Sequence, residues 1–427
     1  MEKQISWSRL DNTAKLFPAI SGEHAANVFR LWADLEEDIH PKALQEAVEQ
    51  ALKDLPAFAV KMRRGVFWYY FEQNPAKPVV REEFCPPCFR IELRRNWGFL
   101  FRITYYQRRV NLEVFHALTD GNGALYFLHH ILFYYLKQVC PAASHWEKPA
   151  ELEDVSEQEM WEDGFAKSDE ESAGAAGQPM IFAPRAYHLD GEMLPIGAQQ
   201  ITEAVFSAKE IAGLAKASGA TVAQYFAALL IEAILEERCR EVPPKEKIVI
   251  SLPVNLRNFF PSKTLRNFFI FVRIGVDGSQ GNPGFDNILA QVGEQMKGEI
   301  TREKFLARIR QQRRLEEIPF LRVVPRVIKD FFMRRTYRRG EHTYTCTLTN
   351  MGRVPMPREF VPHVKRIGTM LGASRNNTLK VAVSSLGDVM TVVFNSTCRE
   401  EDIPRYFIRR LTAEGLAAVV TCNEVPR

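Results

Sequence analysis

Along this chain the apolar positions switch repeatedly between the period of two that suits a strand and the period near 3.6 that suits a helix. Residues 27–38 form an aromatic and apolar run that predicts a strand, and Pro41 then opens a predicted helix in which Leu44, Val48 and Leu52 recur four apart. Residues 66–71 and 99–105, rich in aromatic side chains, predict two more strands. Over 109–115, Val110, Leu112 and Val114 share one face and Asn111, Glu113 and Phe115 the other, so His116 continues the apolar face. The run ALYFLHHILFYYLKQV after Gly123 repeats its large groups at helical spacing, which puts His116 where a strand ends and a helix is about to begin.

The second half alternates in the same manner. A strand is expected over 199–206, followed by a helix that Ser207 caps with Glu210 in the capping-box position, and Thr221 starts a longer helix through Glu237. The continuous apolar stretch 247–254 predicts a buried strand that delivers Asn255, Leu256 and Arg257 at its end. Further strands are expected over 268–276, 343–349, 378–385 and 389–395, with helices over 287–314, 320–335 and 401–411. The order of elements predicts an α/β fold with mixed sheets.

The corner at VFHALTDGNG carries the candidate chemistry. His116 and Asp120 stand four residues apart with Gly121 next. Imidazole titrates closest to neutrality, so His116 can take a proton from a hydroxyl, amine or thiol at small cost. Asp120 can cap the following helix or pair with a distant arginine and so fix the loop. The glycines suit a tight turn and leave room for a substrate. A packed histidine beside a capping aspartate is the competing interpretation of these few residues alone.

Length bounds the rest. A chain of 427 residues exceeds one ordinary domain, and 46% hydrophobic with 25% charged residues is a globular composition. No apolar run reaches bilayer-spanning length and MEKQISWSRLDN lacks a signal-peptide core, so a cytoplasmic location is expected. Seven cysteines without framework spacing fit a reducing compartment. Cys85 and Cys88 form a CPPC without a second ligand pair, and His129 and His130 lack helical metal partners, so no metal is expected. A net charge of +4 is too small to call for nucleic acid.

Two segments break the even charge. Between Glu151 and Glu171 ten acidic residues face one lysine, Lys167, and SAGAAGQP follows, which suggests a linker or surface loop. The expected division is therefore 1–150, 151–185 and 186–427. Between Arg302 and Arg339 thirteen Lys or Arg outnumber four acidic residues. Such a stretch can be a solvated face, a dock for the acidic segment, a membrane-surface patch or a cradle for phosphates.

Taken together, SRLDNTAKLFPA, NVFRLWADL, GVFWYYFE, EVFHALTDGNGALYFL, SLPVNLRNFFPSKTLRNFF and TLTNMG resemble the HxxxDG acyltransferase superfamily, and more closely its bacterial alcohol acetyltransferase-like members. The resemblance implies two chloramphenicol-acetyltransferase-like α/β halves in a V, with the histidine in a channel between them. It implies transfer of an acyl group, acetyl first of all, from a CoA thioester to an alcohol or amine, with His116 as base and no covalent enzyme intermediate. The chain would act as a monomer with no bound cofactor and acyl-CoA as co-substrate. PVNLR fits the place where relatives hold the motif aspartate with an arginine, which implies an Asp120–Arg257 pair. Thr349 and Asn350 fall where relatives carry Ser-Asn-x-Gly and would support the oxyanion. Arg334, Arg335, Arg338 and Arg339 would receive CoA phosphates. Phe115 replaces the first histidine of condensation domains, and the DFGWG of the plant enzymes is absent. A non-catalytic binding module of this fold, or a condensation-type enzyme fed by an acyl carrier protein, is the alternative.

Overall fold

The computed structural model of the chain describes residues 7–425 apart from 12, 154, 171–182, 239–242, 244–245, 280 and 318–322. Among the described residues the strands form three sheets. A five-stranded sheet runs in the order Val364–Leu371, Val28–Leu35, Arg109–Phe115, Phe101–Tyr106, Arg81–Glu82. A seven-stranded sheet runs Phe269–Asp277, Lys247–Asn255, Cys346–Arg353, Leu379–Leu386, Val389–Ser396, Gln200–Ser207, Val419–Cys422. A small sheet joins Trp7–Arg9, Tyr69–Gln73 and Val60–Arg64. Parallel and antiparallel neighbours mix: the Cys346–Arg353 strand is parallel to both of its neighbours, whereas the pairs flanking it are antiparallel.

The predicted periodicities explain the layering. Val110, Leu112 and Val114 pack into a core with Leu44, Val48 and Ala51 of the Pro41–Asp54 helix and with the Gly121–Val139 helix. The opposite face of the same strand is buried too. Glu113 lies there without exposure, and the cost of sequestering its charge is offset by Arg30, whose Nε donates to it at 2.9 Å, and Arg102, whose Nε donates at 2.7 Å. A second core forms around the seven-stranded sheet and the Val222–Arg238 helix. Leu265 and Phe269, although late in the chain, belong to the first core. No single described helix is long and apolar enough to cross a membrane.

Several expectations are corrected. The strand expected over 66–71 is Tyr69–Gln73, because Gly65 to Trp68 make the turn and leave Val66 and Phe67 exposed. The long helix over 287–314 is two helices, Phe285–Glu299 and Arg302–Glu317, interrupted at Ile300. The helix over 320–335 is Arg326–Glu341, and Phe320 lies outside the described residues. The acidic stretch, expected as a linker or surface loop, holds three short helices among its described residues, Ala150–Glu153, Glu157–Met160 and Gly164–Glu170. Leu152, Met160 and Phe165 are buried there, apolar anchors that the charge of the segment had masked. SAGAAGQP lies outside the described residues. The strand Val364–Leu371 was not foreseen, and it enters the five-stranded sheet from late in the chain by pairing with Val28–Leu35.

That crossing strand depends on one glycine. Gly368 lies opposite Trp32, whose buried indole covers it, and a Cβ at Gly368 would enter the ring. Gly368→Ala is expected to destabilise the protein by about 1–3 kcal/mol, the usual cost of overpacking a tight core site. Urea denaturation checks it, and an unchanged midpoint would show that the indole moves aside freely.

Candidate active site

The Arg109–Phe115 strand ends against the start of the Val28–Leu35 strand, and the next residue, His116, donates its amide to the Asn27 carbonyl at 2.9 Å. The imidazole is packed among aromatic rings. Phe17 stacks on it at 4.5 Å between centroids and 11° between planes, Phe29 is tilted at 4.8 Å, and Phe269 lies at 5.3 Å. Burial pushes the His116 pKa below its ordinary value, while the nearby Asp120 carboxylate acts in the opposite direction.

Asn267, which sequence reasoning missed, sets the tautomer. His116 Nδ1 is 3.0 Å from Asn267 Oδ1. The Asn267 Nδ2 donates to the His116 carbonyl at 3.1 Å and to Asp11 Oδ2 at 3.3 Å. With the amide reversed, its oxygen would face two acceptors, so the network selects this orientation. An amide oxygen only accepts, hence the proton sits on Nδ1 and Nε2 is left as a proton acceptor. Asp11 in turn receives the Ala14 amide at 2.7 Å, and burial raises its pKa to about 6. Both Asp11 and Asn267 fall inside stretches that carry the family resemblance, SRLDN and TLRNFF, but nothing in their spacing from His116 announces that they meet it.

Asp120 is the N-cap of the Gly121–Val139 helix. Its Oδ1 accepts the Gly123 amide at 3.1 Å, and its Oδ2 accepts the Phe268 amide at 2.9 Å and Arg257 Nη1 at 2.7 Å. Arg257 spends its remaining donors on carbonyls, at 2.7 Å from its Nη2 to both Thr264 and Arg266. The expected pair is therefore present as part of a larger network. Thr264 also donates its hydroxyl to the Glu162 carbonyl at 2.6 Å, so the acidic segment buttresses the arginine's loop.

The glycines divide their roles differently from expectation. Neither Gly121 nor Gly123 has a positive φ. At Gly123 a Cβ would lie 2.5 Å from the Leu265 carbonyl oxygen, so close approach of two loops demands glycine there. At Gly121 the nearest atom to such a Cβ is Met351 Cε at 3.9 Å, which leaves open space beside the motif.

Thr349 and Asn350 occupy a strand that parts from its neighbour. Cys346 and Thr347 pair with Ile250 and Ser251, and the pairing stops there, while the other side continues to Asn350 opposite Val383 and, past a break in register, to Arg353 opposite Ser385. Two parallel strands thus separate next to the motif. Asn350 Oδ1 accepts the Gly352 amide at 2.7 Å. Among the described residues no hydrogen bond joins Thr349 or Asn350 to His116; Met351 is the residue of that segment brought against Gly121. Arg334, Arg335, Arg338 and Arg339 are exposed on the Arg326–Glu341 helix. Arg334 Nε donates to the Ala19 carbonyl in the helix Leu16–Ile20 that carries Phe17.

Cys85 and Cys88 are free thiols, and no metal-binding group of His, Cys, Asp or Glu occurs among the described residues. His129 and His130 are buried in helix packing, and burial drives their pKa values down to about 3 and about 4, so both are neutral.

The Asp120–Arg257 pair has a direct test. Truncating either side chain to Ala strands a largely buried charge and is expected to cost about 3–5 kcal/mol of stability. The double variant should lose clearly less than the sum, measured in a denaturation double-mutant cycle; additive losses would mean that the pair contributes no coupling.

No family model and no curated protein sequence matches the chain. Solved structures do. Polyketide synthase associated protein 5 from Mycobacterium tuberculosis superposes with a TM-score of 0.60 at 13% identity, covering 95% of this chain and 96% of that one. TRI3 trichothecene 15-O-acetyltransferase from Fusarium sporotrichioides gives 0.58 at 12% identity, covering 95% and 94%. The starter condensation domain of rhizomide synthetase RzmA, as a mutant in complex with C8-CoA, gives 0.57 at 13% identity, covering 96% and 94%. Over nearly its whole length, the chain therefore has the mixed α/β fold shared by these acetyltransferase and condensation-domain structures.

Proposed function

We propose that the protein is an acyltransferase that moves an acyl group, acetyl being the simplest, from a CoA thioester to an alcohol or amine. The observation that carries this reading is the His116 tautomer: Nδ1 is committed to Asn267, which leaves Nε2 as a base in a largely apolar site. Nε2 takes the acceptor proton as the acceptor oxygen or nitrogen attacks the thioester carbonyl. The tetrahedral oxyanion then collapses, the C–S bond breaks, and the imidazolium returns the proton to the leaving thiolate, releasing free CoA. No covalent enzyme intermediate is needed. Asp120 lies near enough to favour the transient imidazolium, while its hydrogen bonds hold the loop. Thr349, beside the parted strands, is the side chain we assign to the oxyanion. That the chain resembles structures which include a trichothecene O-acetyltransferase and a domain crystallised with C8-CoA supports the donor and acceptor classes.

His116→Ala is expected to lower turnover by about 10² to 10⁴-fold with the fold retained. Mass spectrometry of acylated product and free CoA, using mixed acyl-CoAs and candidate alcohols and amines, reads it; near-full activity of the variant would sink the assignment. The pH dependence has a definite sign. A histidine with a lowered pKa stays neutral, and so competent as base, to more acid pH than usual. The acid limb of kcat/KM should therefore fall below the ordinary histidine value of about 6.5.

Two basic surfaces compete for the donor's phosphates. The exposed arginines 334, 335, 338 and 339 are one. The other is a cavity of about 660 Å³ lined by Arg64, Arg90, Arg94 and Arg375 against two carboxylates, Glu23 and Glu92, and by Ala26, the residue before Asn27. We assign the nucleotide to the cavity because it is concave and adjoins the chain that holds the His116 amide. Replacing Arg90, Arg94 and Arg375 by Gln should raise the KM for acyl-CoA at low salt and less at high salt, with little effect on a short thioester lacking the nucleotide. If the same change at Arg335, Arg338 and Arg339 produced that pattern instead, the helix would be the donor site.

A further inference from the structure

The Arg326–Glu341 helix has a face that its own fold leaves bare. Val327 and Ile328, and one turn on Phe331 and Phe332, form two adjacent pairs four positions apart on one side of it, and the adjoining turn adds Val66 and Phe67; these six side chains are 44–73% exposed. Turn and helix form one unit. The Arg326 amide donates to the Val66 carbonyl at 2.9 Å, Lys329 Nζ donates to the Phe67 carbonyl at 3.2 Å, and the same ammonium sits 3.4 Å from the Trp68 ring centre. Continuing the stripe by one more turn of helix brings Arg335, Arg338 and Arg339, all exposed. One outward stripe is thus apolar in its first half and cationic in its second.

The helix shows no negative charge outward. Its two carboxylates among the described side chains, Asp330 and Glu341, are buried. Asp330 accepts from Arg326 and from the Tyr69 hydroxyl, each at 2.8 Å, and Glu341 accepts from Asn376 at 2.8 Å. A contiguous patch of large apolar groups marks an interaction surface rather than a solvated face. Phe, Val and Ile demand no directional partner, whereas guanidinium groups match phosphate oxygens. That combination is what an interfacial helix presents to lipid: apolar groups entering the acyl boundary beside cations at the headgroups.

We propose that this face docks on an anionic membrane surface, with Phe331, Phe332 and the turn residues Val66 and Phe67 inserted and Arg335, Arg338 and Arg339 on the lipid phosphates. Docking does not depend on the acyl-transfer reading. If that reading also holds, the bilayer would stand one short helix from the base, because Arg334 ties this helix to Leu16–Ile20 and Phe17 of that helix stacks on His116.

The experiment is flotation of the full chain with vesicles of phosphatidylcholine alone or with one third phosphatidylglycerol, at low and high salt. Binding is expected to the anionic vesicles only and to weaken with salt. Replacing Arg335, Arg338 and Arg339 by Gln should weaken it about 10²-fold, from the usual contribution of each cation near an anionic surface. Phe331→Ser with Phe332→Ser should weaken it at both salt concentrations, and circular dichroism melts would identify a misfolded variant, for which the Gln variant stands in. No binding to anionic vesicles, or binding that neither variant reduces, overturns the proposal. So does a wild-type dimer in light scattering that the serine variant converts to monomer, since the face would then be an interface between two copies.

Discussion

The site hangs on the carboxylate of Asp120. Its two oxygens receive a helix N-terminal amide, the Phe268 amide and the Arg257 guanidinium, so one side chain joins the start of the Gly121–Val139 helix to the loop between the Lys247–Asn255 and Phe269–Asp277 strands. That loop also carries Asn267. Fixing Asp120 therefore fixes the distance between His116 and the amide that orients it. Because Arg257 and Asp120 are both mostly shielded from water, neither would tolerate loss of the other, and the contact is directional where a packed apolar pair would not be. Gly123 completes the joint, since only a residue without Cβ lets the helix start lie against the Leu265 carbonyl.

Local pattern made the elements legible wherever one period ruled a whole segment. The strand ending at His116, the Pro41–Asp54 helix and the paired strands Leu379–Leu386 and Val389–Ser396 all appear close to their expected places. Expectation failed where local and tertiary signals conflicted. In the acidic segment the charge count dominated the reading, yet three buried apolar residues anchor it and Glu162 takes the Thr264 hydroxyl. The strand Val364–Leu371 is modest as a local pattern, and what makes it a strand is pairing with Val28–Leu35 more than three hundred positions earlier.

The candidate site was legible to a similar depth. His116 and Asp120 are four residues apart, so their chemistry could be read as a motif, and Arg257 was reached through resemblance. Asn267, Asp11 and Phe17 were not, because each is recruited by tertiary contact from more than ninety positions away. Periodicity marks which face a residue takes; it carries no information on which distant amide will meet an imidazole nitrogen.

Enclosing a base in aromatic rings has two opposing effects. Removal from water disfavours the imidazolium, which keeps His116 unprotonated and able to accept, but the same removal penalises the charged state through which the proposed transfer would pass. A fixed carboxylate near the ring reduces that penalty, and does so without repositioning during the reaction, because Asp120 is already bonded on both oxygens. The Asn267 bridge adds selectivity, since it lets the ring gain a proton only at Nε2, on the side away from Asp11. A carboxylate in direct contact with Nδ1 would hold the imidazolium more strongly and make the base slower to give its proton back; an interposed amide keeps the orientation while softening the charge. In the proposed acyl transfer, return of the proton to a leaving thiolate would require that balance, and the arrangement suits reversible proton transfer within one turnover rather than permanent protonation.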